Sequence, residues 1–317
     1  MAHDDGLPGF GLPGFGLPGF SLTEPAPAKI NLALHVIGQR SDGYHLLDML
    51  VTFAAFGDRV AVAPADADAF TLSGRFAPAL ADGPATDNLV LKARDRLRAA
   101  LGARGIPAPP VHLHLEKNLP IASGIGGGSA DAAATLRVLL RHWNAGIEAD
   151  ALGALALGLG ADVPMCLASR PLVARGIGEE IEPRADLPAY AMVLVNPLLG
   201  VSTPEIFRRL KDKDNPPLKV PKPGTGGPCW LAALKAMRND LEAPAAGICP
   251  QIEAVRQALA ATGPLLVRMS GSGATCFGLY EDMDAAEHAA RTIEAGHPGW
   301  FAVASAAYLG GDGHGAA

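Results

Sequence analysis

Pro120-Ile121-Ala122-Ser123-Gly124-Ile125-Gly126-Gly127-Gly128-Ser129-Ala130-Asp131-Ala132-Ala133 is the stretch on which the reading of this chain turns. Ahead of it, Val111-His112-Leu113-His114-Leu115 alternates apolar and polar side chains with the period of a strand. Behind it, residues 129–141 are rich in Ala and Leu, the composition of a helix. Between the two, four of the five residues 124–128 are glycine. Glycine reaches backbone angles closed to other residues and lets a ligand approach the main chain. A strand, a bare turn and an opening helix make an anion cradle, in which N–H groups converge and the positive end of the helix adds to the field. Pro120 through Ala130 is therefore the expected phosphate-binding segment, with Ser129 as helix N-cap or as a hydroxyl directed at a phosphate or its metal. The competing reading is a glycine-rich turn that holds nothing.

Other glycine motifs fail by inspection. No Gly-Lys-Ser/Thr occurs, and neither D-F-G nor H-R-D is present. A dinucleotide fold wants an acidic residue about 20 positions on; here the chain reads Arg141-His142-Trp143-Asn144. A second glycine loop, Ser270-Gly271-Ser272-Gly273-Ala274, separates expected strands at 265–269 and 275–280. Two such loops suggest a site where two lobes meet.

The rest of the chain supplies the frame. Ile30, Leu32, Leu34 and Val36 alternate with Lys29, Asn31, Ala33 and His35, as in a strand buried on one face. Asp42-Gly43 reads as a turn and 46–56 as a second apolar run. His112 and His114 share one strand face without a third ligand nearby, so a solvent-facing pair is expected rather than a metal site. Residues 214–228 are dense in Pro and Gly and read as a loop. Helices at 230–241 and 252–261, a helix at 285–295 and a last strand at 301–308 complete a mixed α+β pattern. The expected division is 25–180 and 181–317, with a Gly/Pro-rich, unstructured extension over 1–24 that carries three LPGF repeats.

Composition bounds the function. The chain has 317 residues, of which 49% are hydrophobic and 18% charged, enough for two packed lobes. A net charge of −6 leaves no basic field for nucleic acid. Cys166, Cys229, Cys249 and Cys276 stand far apart, with neither a C-x-x-C pair nor zinc spacing. They are expected to be reduced and buried. Proline interrupts the longest uncharged run, and Asp4 and Asp5 replace the positive region of a signal, so a cytoplasmic protein without membrane contact is expected.

Three segments resemble the motifs of the GHMP small-molecule kinases: P-A-K-I-N-L-A-L at 27–34, P-I-A-S-G-I-G-G-G-S-A-D-A-A at 120–133 and S-G-S-G-A-T at 270–275. G-Q-R-S-D-G-Y-H-L-L at 38–47 and G-L-G-A-D-V-P at 158–164 are similar to the branch of that family that acts on a cytidine-diphosphate-linked methylerythritol in non-mevalonate isoprenoid synthesis. Ile125 stands where Leu is more usual and Ala130 where a second Ser is common; neither change removes a backbone donor. The resemblance implies a two-lobed α+β fold, with an N-terminal β/α lobe for ATP and a C-terminal, ferredoxin-like α/β sandwich. It also implies ATP with Mg²⁺, a small-molecule acceptor and transfer of the γ-phosphoryl group to the acceptor's 2-hydroxyl. Ser129 and Asp131 are the metal-ligand candidates.

By the same resemblance Asp162 is the base and Lys29 steadies the developing charge; Asn31, two residues on along the same strand face, and Thr203 are expected to reach the substrate. Tyr44 and His45 match the cytosine-binding pair, and Phe207 matches the ring across the base. Gly271, Ser272 and Gly273 form the second loop. On residue type alone, Lys29 reads equally as a solvated strand residue, Asp162 as a cap and Phe207 as core. Other family acceptors (homoserine, mevalonate, a sugar) and a non-catalytic nucleotide-binding module are the alternatives.

Overall fold

The alternation around Ile30 belongs to a strand much longer than its apolar signal. In the computed structural model, which describes residues 17–81 and 87–310, β1 (Leu22–Gln39) and β2 (His45–Pro64) form one antiparallel hairpin. The Asp42-Gly43 turn closes it. The Tyr44 N–H donates to Asp42 Oδ1 at 3.2 Å, the Arg40 N–H donates to the Tyr44 carbonyl at 2.7 Å, and Gly43 takes a φ of 92°. Three register shifts, at Pro27/Ala28, Asn31/Ala33 and Val36/Gly38, bend β1 as it crosses the molecule.

The remaining elements follow in order. β3 (Ala69–Ser73), α1 (Ala77–Ala81), α2 (Leu89–Gly102), β4 (Val111–Glu116), α3 (Gly127–His142), α4 (Ala149–Leu159), α5 (Val163–Ala168), β5 (Leu172–Gly176) and β6 (Glu180–Pro183) join the hairpin in the first lobe. β7 (Ala191–Asn196), α6 (Thr203–Arg209), α7 (Gly227–Ala236), α8 (Glu242–Ile248), α9 (Gln251–Ala260), β8 (Leu266–Met269), β9 (Cys276–Tyr280), α10 (Met283–Gly296) and β10 (Phe301–Ser305) make the second. A two-residue strand, β11 (Ala307–Tyr308), returns to β2. The expected last strand is thus split, and its end ties the C-terminal lobe to the first sheet.

The first sheet runs β3-β4-β2-β5-β6 with β1 and β11 also on β2, and its edge strand β6 ends at Pro183, past the expected division after residue 180. The second runs β10-β7-β9-β8, every neighbour antiparallel. Its connectivity, strand–helices–strand–strand–helix–strand, is the ferredoxin-like split β-α-β arrangement.

β1 lies between these two layers, and this corrects the half-buried reading. Lys29 (3% exposed), Asn31 (0%) and His35 (3%) are buried along with the apolar residues. Ala28, Ile30 and Leu32 pack with Trp230, Leu234 and Phe277 of the second lobe. Each large side chain so buried contributes about 1.5–3 kcal/mol. Alternation detects one covered face and is blind to a second layer.

Other expectations also shift. Residues 1–16 of the N-terminal extension lie outside the described residues, but Leu22 already pairs with Val62 and the Phe20 ring rests 5.0 Å from His112. His112 and His114 are half-buried, not solvated: both bond the Thr71 hydroxyl at 2.8 Å, and His114 also bonds Ser73. All four cysteines are free, yet Cys229 is exposed. Among the described residues, no helix is long and apolar enough to cross a membrane.

Candidate active site

The glycine segment connects β4 to α3 as expected, but helix α3 opens at Gly127 and its N-cap is Gly126, in the left-handed region at φ 64°. Ser129 is therefore inside the first turn and caps nothing. No side chain caps α3, which leaves its first N–H groups directed at the space in front. That space is a cavity of about 660 Å³, lined by residues 120–124 and 126–129, Lys29, Lys117, Asp131, Asp162, Thr203, Gly271 and Ser272. Its far end is apolar, built by Phe70, Leu72, Leu80, Leu89 and Leu115 from β3, α1, α2 and β4. The size and the polar-to-apolar gradient suit a nucleotide.

The two glycine loops meet main chain to main chain. The Ser270 hydroxyl donates to the Gly124 carbonyl at 3.2 Å, and the Thr275 N–H donates to the Ser123 carbonyl at 3.2 Å. A Cβ on Gly124 would stand 2.6 Å from the Gly273 carbonyl oxygen, and one on Gly271 would stand 2.6 Å from the Gly124 oxygen. Asn239, which no motif singles out, holds the second loop from behind by donating to the Met269 and Gly271 carbonyls, both at 2.8 Å.

Lys29 and Asp162 come together. Lys29 Nζ sits 2.8 Å from Asp162 Oδ2, with 4% of the lysine side chain and 38% of the aspartate side chain exposed. Asp162 occupies the N-cap position of α5 and makes no side-chain cap bond, so the cap reading is set aside. The carboxylate faces the cavity instead. Lys29 Nζ also donates to Asn31 Oδ1 at 3.1 Å, while the Asn31 N–H donates to Ser270 Oγ at 3.0 Å. Asn31 is fully buried and does not line the cavity, so it supports Lys29 from behind. Beneath Asp162, burial pushes the Cys166 thiol up to about 12, which keeps it an inert packing group.

The proposed base-recognition rings gather elsewhere. His45 stacks directly on Phe207, with centroids 4.6 Å apart, and neither lines the cavity. The two rings are in direct contact with each other. Tyr44, 60% exposed at the hairpin tip, is the ring left free. His45 Nε2 is buried without a hydrogen-bond partner, and burial followed by the Lys213 charge lowers the His45 pKa. The imidazole is thus neutral, with one unmet polar atom for a base edge. Thr203, at the start of the helix that carries Phe207, bonds the Ser272 hydroxyl at 2.7 Å and so links the two clusters.

A strap of chain after that helix is fastened to the hairpin. The Asn215 N–H and side-chain amide both donate to the Val36 carbonyl, and the Leu218 N–H donates to Asp48 Oδ2 at 2.8 Å. His35 Nδ1 donates to the Pro216 carbonyl at 2.9 Å, and its Nε2 accepts from the Arg238 N–H at 3.2 Å, which requires the neutral ring. Burial, above all, lowers the His35 pKa; Arg238 adds to this, while the Pro216 bond, Asp240 and Asp48 oppose it. The unfolded chain therefore takes up the proton first. Stability attributable to His35 is complete above about pH 6.5 and is lost as pH falls through the lowered native value. Urea unfolding at pH 7.5 and 5.5 is expected to show a smaller pH loss in His35→Asn than in the parent, and equal losses would refute the assignment.

Among the described residues, no group of three or more His, Cys, Asp or Glu is placed to hold a metal. Asp131, the other candidate, gives its Oδ2 to Lys117 Nζ at 2.6 Å, while its Oδ1 has no hydrogen-bond partner. Ser129 lines the cavity together with the Asp87 and Asp162 carboxylates and the Ser123, Thr203 and Ser272 hydroxyls, and oxygen donors of this kind fit Mg²⁺.

Known proteins resemble the chain throughout. The GHMP kinases N terminal domain matches residues 88–170, and the GHMP kinases C terminal domain matches 229–298. The 4-diphosphocytidyl-2-C-methyl-D-erythritol kinase of Rhizobium meliloti (strain 1021) is 64% identical over 300 residues, 95% of this chain and 96% of the relative. Its counterpart in Sinorhizobium medicae (strain WSM419) is 62% identical over 303 residues, 95% and 97% of the two chains. A crystal structure of 4-(cytidine 5'-diphospho)-2C-methyl-D-erythritol kinase superposes with a TM-score of 0.75 at 36% identity, covering 91% of this chain and 100% of the other. Homoserine kinase from Cytophaga hutchinsonii, at 18% identity and TM-score 0.65, covers 93% and 98% and shares the fold.

Proposed function

Since the chain belongs to the 4-diphosphocytidyl-2-C-methyl-D-erythritol kinases within the GHMP kinases, we propose that Lys29 and Asp162 carry out its phosphoryl transfer in the cavity between the two glycine loops. The chain is an ATP-dependent kinase that phosphorylates the 2-hydroxyl of 4-diphosphocytidyl-2-C-methyl-D-erythritol in the non-mevalonate pathway. The observation that supports the residue assignment is the 2.8 Å Lys29–Asp162 pair at the mouth of an uncapped helix.

Phosphoryl transfer asks the protein for position and charge more than for covalent chemistry. The adenine is assigned to the apolar end of the cavity and the phosphates to the N–H groups of residues 126–129. Asp162 takes the proton from the acceptor hydroxyl, and the Lys29 ammonium, oriented by Asn31, stabilises the oxygen as charge builds on it. Mg²⁺, when bound, would neutralise the triphosphate, with the Ser129 hydroxyl the protein oxygen assigned to it. The cytosine is assigned to Tyr44, the face of Phe207 and the free His45 Nε2. Four free cysteines and a net negative charge fit a cytoplasmic enzyme.

ADP release measured with the cytidyl substrate, homoserine and mevalonate side by side tests the acceptor. Turnover confined to the cytidyl compound is expected, and comparable turnover of another alcohol would remove the assignment. Phe207→Ala is expected to raise KM for the cytidyl acceptor by a factor of about 5–150, the worth of one base–aromatic stack, while KM for ATP holds. An unchanged acceptor KM would take Phe207 out of the site.

A further inference from the structure

Under the phosphate loop lies a buried charge cluster that the mechanism does not use. Lys117 Nζ contacts Asp58 Oδ2 at 2.5 Å and Asp131 Oδ2 at 2.6 Å, and all three side chains are at least 96% buried, with exposures of 3%, 0% and 4%. The other Asp58 oxygen, Oδ1, accepts the N–H groups of Asn118 at 2.5 Å and Leu119 at 2.8 Å, the residues by which the chain enters the loop. Asp131 lies on α3, just past the loop's exit. A Cβ built on Gly127 would stand 3.1 Å from Lys117 Nζ and 3.7 Å from Asp58 Oδ2, so the cluster touches the underside of the first helical turn.

We propose that Lys117, held between Asp58 and Asp131, is a positioning residue that fixes the spacing between the two ends of the phosphate loop and so aims its N–H groups at ATP. Both ends converge on this cluster: Asp58 receives the entering main chain, Asp131 comes from the departing helix, and Lys117 joins them. Three ions in so dry a place are costly unless each is paired. Burial alone disfavours the Lys117 ammonium, but the Asp131 and Asp58 carboxylates outweigh it and keep the lysine charged. Burial drives the Asp131 pKa up, with the Asp58 charge adding to it against the pull of Lys117. The lysine's own charge is spent on the carboxylates, which sets it apart from Lys29.

This inference rests on residues 120–130 being the ATP cradle, and the experiment separates the two claims. ATP and adenosine binding are measured by calorimetry for the parent protein, Lys117→Met, Asp58→Asn and the double variant. Failure of the parent to bind ATP would remove the cradle itself. With the cradle intact, each single variant is expected to weaken ATP by about 10–100-fold, as when a support behind a ligand-holding group is removed. Adenosine binding should stay within twofold, and the double variant should be no weaker than the worse single one. A loss in Lys117→Met with none in Asp58→Asn would make Lys117 a direct phosphate ligand and overturn the proposal. Equal losses for ATP and adenosine would do the same, by showing general damage. Should Lys117→Met not fold, Asp58→Asn carries the test, since it keeps the side chain's volume and removes only its charge; unchanged ATP binding there overturns the proposal.

Discussion

Asp162→Asn is expected to lower kcat by about 10²–10⁴-fold, the usual worth of a positioned general base, with ATP affinity close to that of the parent. The amide keeps the size and nearly the shape of the carboxylate at the N-cap of α5, where no helix bond depends on it. What disappears is the proton acceptor and the partner of Lys29 at 2.8 Å. Lys29→Met should give a loss of similar order, and the double variant should be far from additive, because the two side chains act on one oxygen. Single-turnover measurements under saturating ATP isolate the chemical step. A variant at Asp162 with full kcat would show that the base is another group, and the case for Lys29 would have to stand without it.

The second large effect is on the structure that holds the nucleotide. Gly124→Ala is expected to destabilise the protein on the order of 3 kcal/mol, summing a left-handed non-glycine residue and overpacking. The φ of Gly124 is 75°, and the added carbon would meet the Gly273 oxygen at 2.6 Å and the Gly273 nitrogen and Ser270 oxygen at 2.7 Å. Those are main-chain atoms of the other lobe and have no rotamer into which to retreat. Thermal unfolding should show Tm lowered by about 5–10 °C, and ATP affinity should fall with it. Gly146→Ala, where a new carbon meets nothing within 4 Å, is the control. A Gly124→Ala protein with parental Tm would mean that the two loops do not meet as described.

Legibility in the sequence followed contiguity. The two glycine loops announce their chemistry by composition, Lys29 and Asp162 were assigned only through the resemblance of the short motifs that hold them, and the structure brings all four to one cavity. The apolar end of that cavity was invisible, because Phe70, Leu72, Leu80, Leu89 and Leu115 come from four elements and look like ordinary core residues one at a time. Asp58 and Lys117 are 59 residues apart, and nothing in either neighbourhood signals the other. The misreading of β1 has a different source: its polar residues alternate as if solvated, but the second lobe covers them, and their side-chain polarity is met by Asp162 on Lys29, by Lys29 and Met49 on Asn31, and by the Pro216 carbonyl and Arg238 N–H on His35. The turn at Asp42-Gly43 was legible and the contact between His45 and Phe207 was not, since stacking across 162 residues leaves no periodic trace.

The seam where Ser270 and Thr275 grip Gly124 and Ser123 also bears on how product leaves. Fastened by one side-chain and one main-chain bond at the floor of the cleft, the halves of the enzyme cannot part there like jaws without breaking them. Spent nucleotide therefore has to leave without the two glycine loops separating, while the floor stays shut from one cycle to the next.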